Sequence, residues 1–193
     1  HGQPLPQDPG WLRRVPVQWQ LVYAPLALGF RAALSRAIAR FAPDVLHLHM
    51  PNTSVFWALT LRAACDLPWV VHWHADVVAS RIQPALALAY RLYRPLEQAV
   101  LARAERIVAT SSPYLHASEP LAAWRAAAVA VPLGLAVDLA APGPRAAENV
   151  GGPLRLLAIG RLAYYKGLET LVRAVSGMDG GELVIAGDGE CAS

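Results

Sequence analysis

Cysteine, charge and long apolar runs are all scarce in this sequence. Its 193 residues include two cysteines. Cys65 and Cys191 stand far apart and match no zinc or redox spacing, which argues against a disulfide scaffold and suits a reducing compartment. Only 16% of residues are charged, against 55% hydrophobic. Such a composition can bury a substantial core and is unlike that of a disordered segment. Seventeen Lys+Arg against 14 Asp+Glu leave a net charge of +3, and nearly all the basic residues are scattered arginines. That balance allows an anionic partner (phosphate, nucleic acid or an acidic membrane surface) and selects none of them. The longest strongly apolar stretch runs from Leu21 to Phe30 and contains a proline. It is too short to span a bilayer, and no signal-peptide pattern opens the chain. The first residue is His1 rather than Met, and the last three, CAS, follow a glycine-rich turn. Both ends therefore read as those of a fragment.

What is present is an alternation of strands and helices. Residues 1–20 are rich in Pro, Gln and Gly and read as a loop, with Trp11, Val15, Val17 and Trp19 as its apolar positions. Arg31, Arg36 and Arg40, set among Ala, Leu and Ile, predict an amphipathic helix over 21–41 that Pro43 stops. The run 44–49 predicts a buried strand. Residues 53–65 predict a buried helix with Thr53 or Ser54 as its cap. Further strands are expected over 68–74, 106–110 and 128–134, with a long helix from Pro84 to Arg103 kinked at Pro95. Strands separated by helices imply βαβ units in a parallel, doubly wound sheet. Residues 136–152 are rich in Ala, Pro and Gly without periodicity, and read as an interdomain linker. A strand over 153–160, a helix over 166–175 and a strand over 182–187 then form one fresh βαβ unit. The expected organisation is a first Rossmann-like domain over 1–135, the linker, and the truncated start of a second over 153–193.

The segment GRLAYYKGLETL (160–171) lies between a strand and a helix. Gly160 permits a tight turn, and Arg161 and Lys166 place two cations near the amino end of the helix. Free N–H groups and the positive end of the dipole favour an anion there. An arginine fork with a lysine point charge suits a diphosphate. An ordinary loop with two solvated charges is the plainer alternative.

The stretch G-R-L-x-x-x-K-G, between an apolar strand and LVIAGDGE, resembles the donor-binding start of group 1 (family 4) glycosyltransferases of the GT-B fold. The first half agrees: FAPDVLHLHMPN, VVHWHADVV, RAERIVATSSPYL and VAVPLGLAVD are each similar to that family's segments, in the same order, from about residue 41 to 190. The resemblance implies a GT-B acceptor domain followed by the start of the nucleotide-sugar domain. Arg161 and Lys166 would hold the donor diphosphate, and Gly187 and Gly189 would lie close to the nucleotide. It further implies transfer of a sugar to a saccharide or glycolipid with retained configuration, in bacterial polysaccharide or glycolipid assembly. No metal or other cofactor and no nucleic-acid partner would be involved. The setting would be cytoplasmic, with peripheral contact at the inner face of the membrane. The family's glycine-rich loop would lie upstream of His1 and its two-glutamate motif downstream of Ser193, so the fragment alone is expected to be inactive. Self-association through the truncated second unit, at the edge 182–187, is also expected.

Two HxH pairs, His47/His49 and His72/His74, end strands. Histidines two apart on a strand share a face and can reach one ion. H-W-H-A-D-V falls one residue short of the HxHxDH signature of metallo-β-lactamase-like hydrolases, because position six is Val77. His116, in a helical stretch, is no substitute. No metal is therefore assigned, and the alternatives are structural histidines or a metal-dependent hydrolase. By the resemblance, His74 faces the sugar and, with Asp76, forms the catalytic candidate. In open α/β sheets ligands bind at the carboxyl ends of strands, which makes His49, Asn52 and His72 acceptor-side candidates. Asn52 equally well caps the next helix. A non-catalytic domain that binds an acceptor or partner is the remaining reading.

Overall fold

Parallel strands need crossover connections that return the chain to the same end of the sheet. This chain makes three of them in its first unit. The computed structural model describes residues 8–21, 24–77, 84–134, 154–189 and 191–192, in two compact units, His1–Gly134 and Leu135–Ser193. The first unit opens with an antiparallel pair, β1 (Trp19–Leu21) and β2 (Ala24–Leu26), followed by helix α1 (Phe30–Phe41). Then come β3 (Leu46–Met50), a 3-10 helix (Thr53–Thr60), α2 (Arg62–Cys65), β4 (Trp69–Trp73), α3 (Pro84–Arg103), β5 (Arg106–Ala109), α4 (Ser112–Ala117), a second 3-10 helix (Ala122–Ala127) and β6 (Ala128–Ala130). The sheet order is β3-β4-β5-β6, all parallel. This is the expected Rossmann-like α/β architecture.

Strand alternation divides the sheet into two unlike faces. Leu46, Met50, Trp69, Val71, Trp73, Ile107 and Ala109 share the buried face and pack with Val100 and Leu101 of α3, Val55 and Ala58 of the first 3-10 helix, and Leu115 and Leu121. Burying each large side chain of this set contributes about 1.5–3 kcal/mol. Trp69 is fully buried, and its indole N–H donates to the Ala64 carbonyl at 2.7 Å. The opposite face carries His47 and His49 of β3 and His72 of β4. The registers His47↔Val70 and His49↔His72 place these rings side by side.

Several boundaries differ from the sequence reading. The segment 21–41 is not one helix: β2 occupies 24–26 and α1 starts at Phe30. Pro25 suits a short edge strand and would interrupt a helix interior. Trp19 and Gln20, expected in a loop, pair with that strand. At its other end α1 closes with Ala42 in the left-handed region (φ 49°), before Pro43. Residues 53–65 form a 3-10 helix and then a single α turn, and the cap is Asn52 rather than Thr53 or Ser54. Helix α3 continues through Pro95. Strand β6 stops at Ala130. Val131 N–H still donates to Ala109 at 2.8 Å, but Pro132 has no N–H with which to extend the ladder.

The second unit holds β7 (Arg155–Ile159), a 3-10 turn (Tyr164–Lys166), α5 (Leu168–Ser176) and β8 (Glu182–Ala186). The strands pair in parallel from Arg155↔Glu182 to Ile159↔Ala186. Helix α5 packs on β8, and Leu157, Ile159 and Val184 are exposed. The expected linker 136–152 lies outside the described residues.

Candidate active site at the carboxyl edge of the sheet

The carboxyl ends of β3, β4 and β5 gather the polar residues of the first unit. His74 follows β4 directly, and its N–H donates to the Met50 carbonyl at 2.9 Å, extending the β3–β4 ladder by one bond. Its side chain is exposed, and its Nε2 lies 2.7 Å from Nδ1 of His49, so one ring donates to the other. The four histidines form one cluster of rings. Ring centroids are 4.2 Å apart for His72–His74, 5.0 Å for His49–His74, 5.3 Å for His49–His72 and 4.5 Å for His47–His49. Burial, followed by the neighbouring imidazoles, pushes the pKa values of His49 and His72 below the usual histidine range. Both rings are therefore held in their neutral form at pH 7.

Asp76 is half-buried and acts as a hub. Its Oδ1 accepts from the Trp73 indole N–H at 2.7 Å, the Tyr114 hydroxyl at 2.6 Å and the Ser118 hydroxyl at 2.8 Å. Trp73 and Ser118 are buried. The carboxylate thus fastens the segment after β4 to α4. Burial first, and then this bond, push the Tyr114 hydroxyl well above the usual phenol range. Asn52 is exposed, but its Oδ1 accepts from the Ser54 N–H at 3.0 Å, so its carbonyl end is taken by the cap.

Tyr114 and Ser118 were not singled out from the sequence. Their signal was weak: a serine- and proline-rich stretch after a strand, which starts α4 with Ser111 as its cap. Glu97 was also missed. It is fully buried, Tyr90 donates to its Oε2 at 3.4 Å, and its Oε1 has no partner.

In the second unit Arg161 and Lys166 are both exposed, in the loop between β7 and α5. Lys166 closes the 3-10 turn rather than opening the helix, and its Nζ stands 5.3 Å from the centre of the Tyr165 ring. Gly167 lies between them in the left-handed region (φ 67°), a conformation glycine adopts without steric cost. No side chain caps α5, so its first N–H groups remain available to an anion. Glu169, in the same first turn, is paired with Arg173 at 2.6 Å. The glycine that the local geometry needs is not Gly160, where a side chain would meet nothing within 4 Å. It is Gly187, whose added Cβ would overlap the Gly160 carbonyl, and Gly189, whose Cβ would overlap that of Leu162. Leu162 N–H donates to Asp188 at 2.9 Å, and Cys191 N–H donates to Leu162 at 2.9 Å. Gly187, Asp188, Gly189 and Cys191 therefore hold the Arg161 loop in place.

Residues 1–134 match the sequence profile of the glycosyl transferase 4-like domain. The chain belongs to that family. This glycosyl transferase 4-like chain is 34% identical over 140 residues to D-rhamnosyltransferase WbpZ of Pseudomonas aeruginosa, covering 70% of the chain and 35% of that protein. It is 33% identical over 135 residues to O-antigen chain mannosyltransferase C of Escherichia coli, covering 68% and 34% respectively. A shorter likeness, 36% over 53 residues, links it to sulfoquinovosyl transferase SQD2 of Arabidopsis thaliana, across 28% of the chain and 10% of that protein. The chain spans about a third of the length of the first two relatives. The family match covers the whole four-stranded sheet and every candidate residue from His49 to Asp76. No helix among the described residues is long and apolar enough to cross a membrane.

Proposed function

We propose that this family member takes part in glycosyl transfer, moving a sugar from a nucleotide sugar to a saccharide or glycolipid. The observation that carries the reading is the family match over 1–134 together with two relatives named as sugar transferases. In the reaction, the bond from the anomeric carbon to the diphosphate oxygen breaks and a bond to the acceptor oxygen forms. The acceptor proton leaves with the phosphate, and configuration is retained. Arg161 and Lys166 neutralise the departing diphosphate, the work that a divalent metal does in other transferases. Charge stabilisation of this kind is usually the largest single term in such a step. His74, exposed at the carboxyl end of β4, contacts the reacting sugar. Asp76, with three donors on one oxygen, is a positioning residue that holds the chain after His74. His49, His72 and Asn52 line the acceptor side, and Asn52 does so through its amide nitrogen. Gly187 and Gly189 keep the diphosphate loop in place beside the nucleotide. No cofactor takes part, and a bacterial, cytoplasmic setting with peripheral contact at the inner face of the membrane suits a lipid-linked acceptor.

The test needs a protein with the full two-domain length of the relatives. Arg161→Ala or Lys166→Ala should each weaken donor binding and slow transfer by about tenfold or more, since a charge-assisted contact is worth about 1.5–3 kcal/mol. Unchanged donor affinity in both variants would remove the diphosphate assignment. His74→Ala should lower turnover with an unchanged thermal midpoint. Loss of the fold in that variant would make His74 structural.

A further inference from the structure

The histidine face of the first sheet contains more than transfer chemistry requires. One nitrogen from each of His47, His49 and His72 lies within 4.8 Å of the other two. Two of the rings come from one strand and the third from its parallel neighbour, so that register, not sequence spacing alone, brings them together. Nε2 of His72 is buried and has no hydrogen-bond partner. An unsatisfied buried nitrogen costs free energy that a bound ion would relieve. Nδ1 of His49 is engaged with His74 at 2.7 Å, which orients the ring and leaves Nε2 as the nitrogen not used in that bond. Metal-bound histidines are commonly oriented by a second group in this way.

We propose that His47, His49 and His72 bind a borderline divalent transition ion, of which Zn2+ is the natural probe, with His74 orienting His49. Three imidazole nitrogens leave a position for water or a ligand oxygen, as in open zinc sites. Zinc–nitrogen bonds of about 2.0–2.1 Å require the three nitrogens to lie roughly 3.4 Å apart. The exposed rings of His47 and His49, with the exposed His74 turning alongside, can close that gap by side-chain rotation, the half-buried His72 serving as the fixed member. Sequence inspection found both HxH pairs but could not tell whether their strands are neighbours, and assigned no metal. The pairing of β3 with β4 supplies the third ligand. The site shares His49, His72 and His74 with the acceptor side of the proposed transfer reaction, but its test reads metal binding alone and so stands or falls separately from that reading.

The test uses the tag-free 193-residue chain, stripped with a chelator and titrated with Zn2+ by calorimetry and with Co2+ by visible absorption. Expected are one ion per chain and a cobalt spectrum without a thiolate charge-transfer band, which separates this site from Cys65 and Cys191. Removing a ligand should cost more than the roughly 10–100-fold typical of an orienting group, so His47→Ala and His49→Ala should each lower affinity at least about a hundredfold. His74→Ala should lower it about tenfold, and His116→Ala should leave it unchanged. His72→Ala is the severest variant, but its ring is half-buried. If it fails to fold, the more exposed His47 and His49 decide the matter. Absence of stoichiometric binding, a thiolate band, or full affinity in both His47→Ala and His49→Ala would overturn the proposal.

Discussion

Glu97 lies in the core one turn of α3 from Tyr93 and two from Tyr90, and burial pushes its carboxyl up to about 7. The same burial, reinforced by the carboxylate, pushes the Tyr90 hydroxyl up to about 12. In the unfolded chain a glutamate titrates near 4.5. Between those values the folded protein binds the proton and the unfolded chain does not, so stability is greatest below about 4.5 and falls as pH rises through 7. Glu97→Gln should remove that dependence. At pH 8 the variant should gain on the parent, relative to pH 5, by on the order of 3 kcal/mol, read from urea midpoints at the two pH values. Equal gain at both would show that Glu97 does not titrate in the fold. Asp76 presents the opposite case, a carboxylate whose single oxygen satisfies three donors. Asp76→Ala strands the buried Trp73 indole N–H and Ser118 hydroxyl. It should cost roughly 3 kcal/mol or more in denaturant stability. Asp76→Asn keeps a carbonyl acceptor and should cost less.

At the scale of elements, the loop between β7 and α5 depends on contact with the GDGE turn. Gly187→Ala would drive a methyl group into the Gly160 carbonyl, whereas Gly160→Ala points its methyl into open space. The first should destabilise the second unit, seen as loss of hydrogen-exchange protection in β7 and β8 in a protein of the relatives' full two-domain length, and the second should be silent there. Gly160, read from its place after a strand as permitting a tight turn, is thus the tolerant one. That reading was local: sequence position indicates a turn, but only packing shows which Cβ has no room. The strands were legible to within two residues, except β6, because branched and apolar runs bounded by Pro and Gly leave little choice. The β1–β2 hairpin was not, because strands of three residues carry almost no periodic signal. The 3-10 helix after β3 was read as α because both present an apolar face to the core.

The molecule as a whole is two units of unequal self-sufficiency. The first has a core that runs from β3 to Leu121. In the second, Ala163 and Val175 are the buried apolar residues among those described, while Leu157 and Ile159 are 64% and 79% exposed. Ordering backbone costs about 1–2 kcal/mol per residue, which so small a core hardly offsets. Hydrogen exchange on a dilute monomer should therefore be fast over 154–192 and slow in β3, β4 and β5. Uniform protection would show that the second unit stands alone. At higher concentration, we propose that self-association through β8 and the exposed Val184 raises protection there, and Val184→Lys should abolish the concentration dependence in sedimentation.

Sequence alone determined the order of strands and helices, the parallel class of sheet and the family likeness, since each rests on local periodicity and on segments read in order. It placed His49, His74 and Asp76 at or just past strand ends, and Arg161 and Lys166 in a loop before a helix, because such boundaries are visible in the chain itself. Tertiary structure alone decided which of these groups meet. Tyr114 and Ser118 reach Asp76 from 38 and 42 residues away, and His74 reaches His49 from 25. Those meetings follow from which strands are neighbours and in what register, a choice made by the burial of Trp69, Val71 and Trp73 against α3 and the 3-10 helix. No short stretch of residues encodes it.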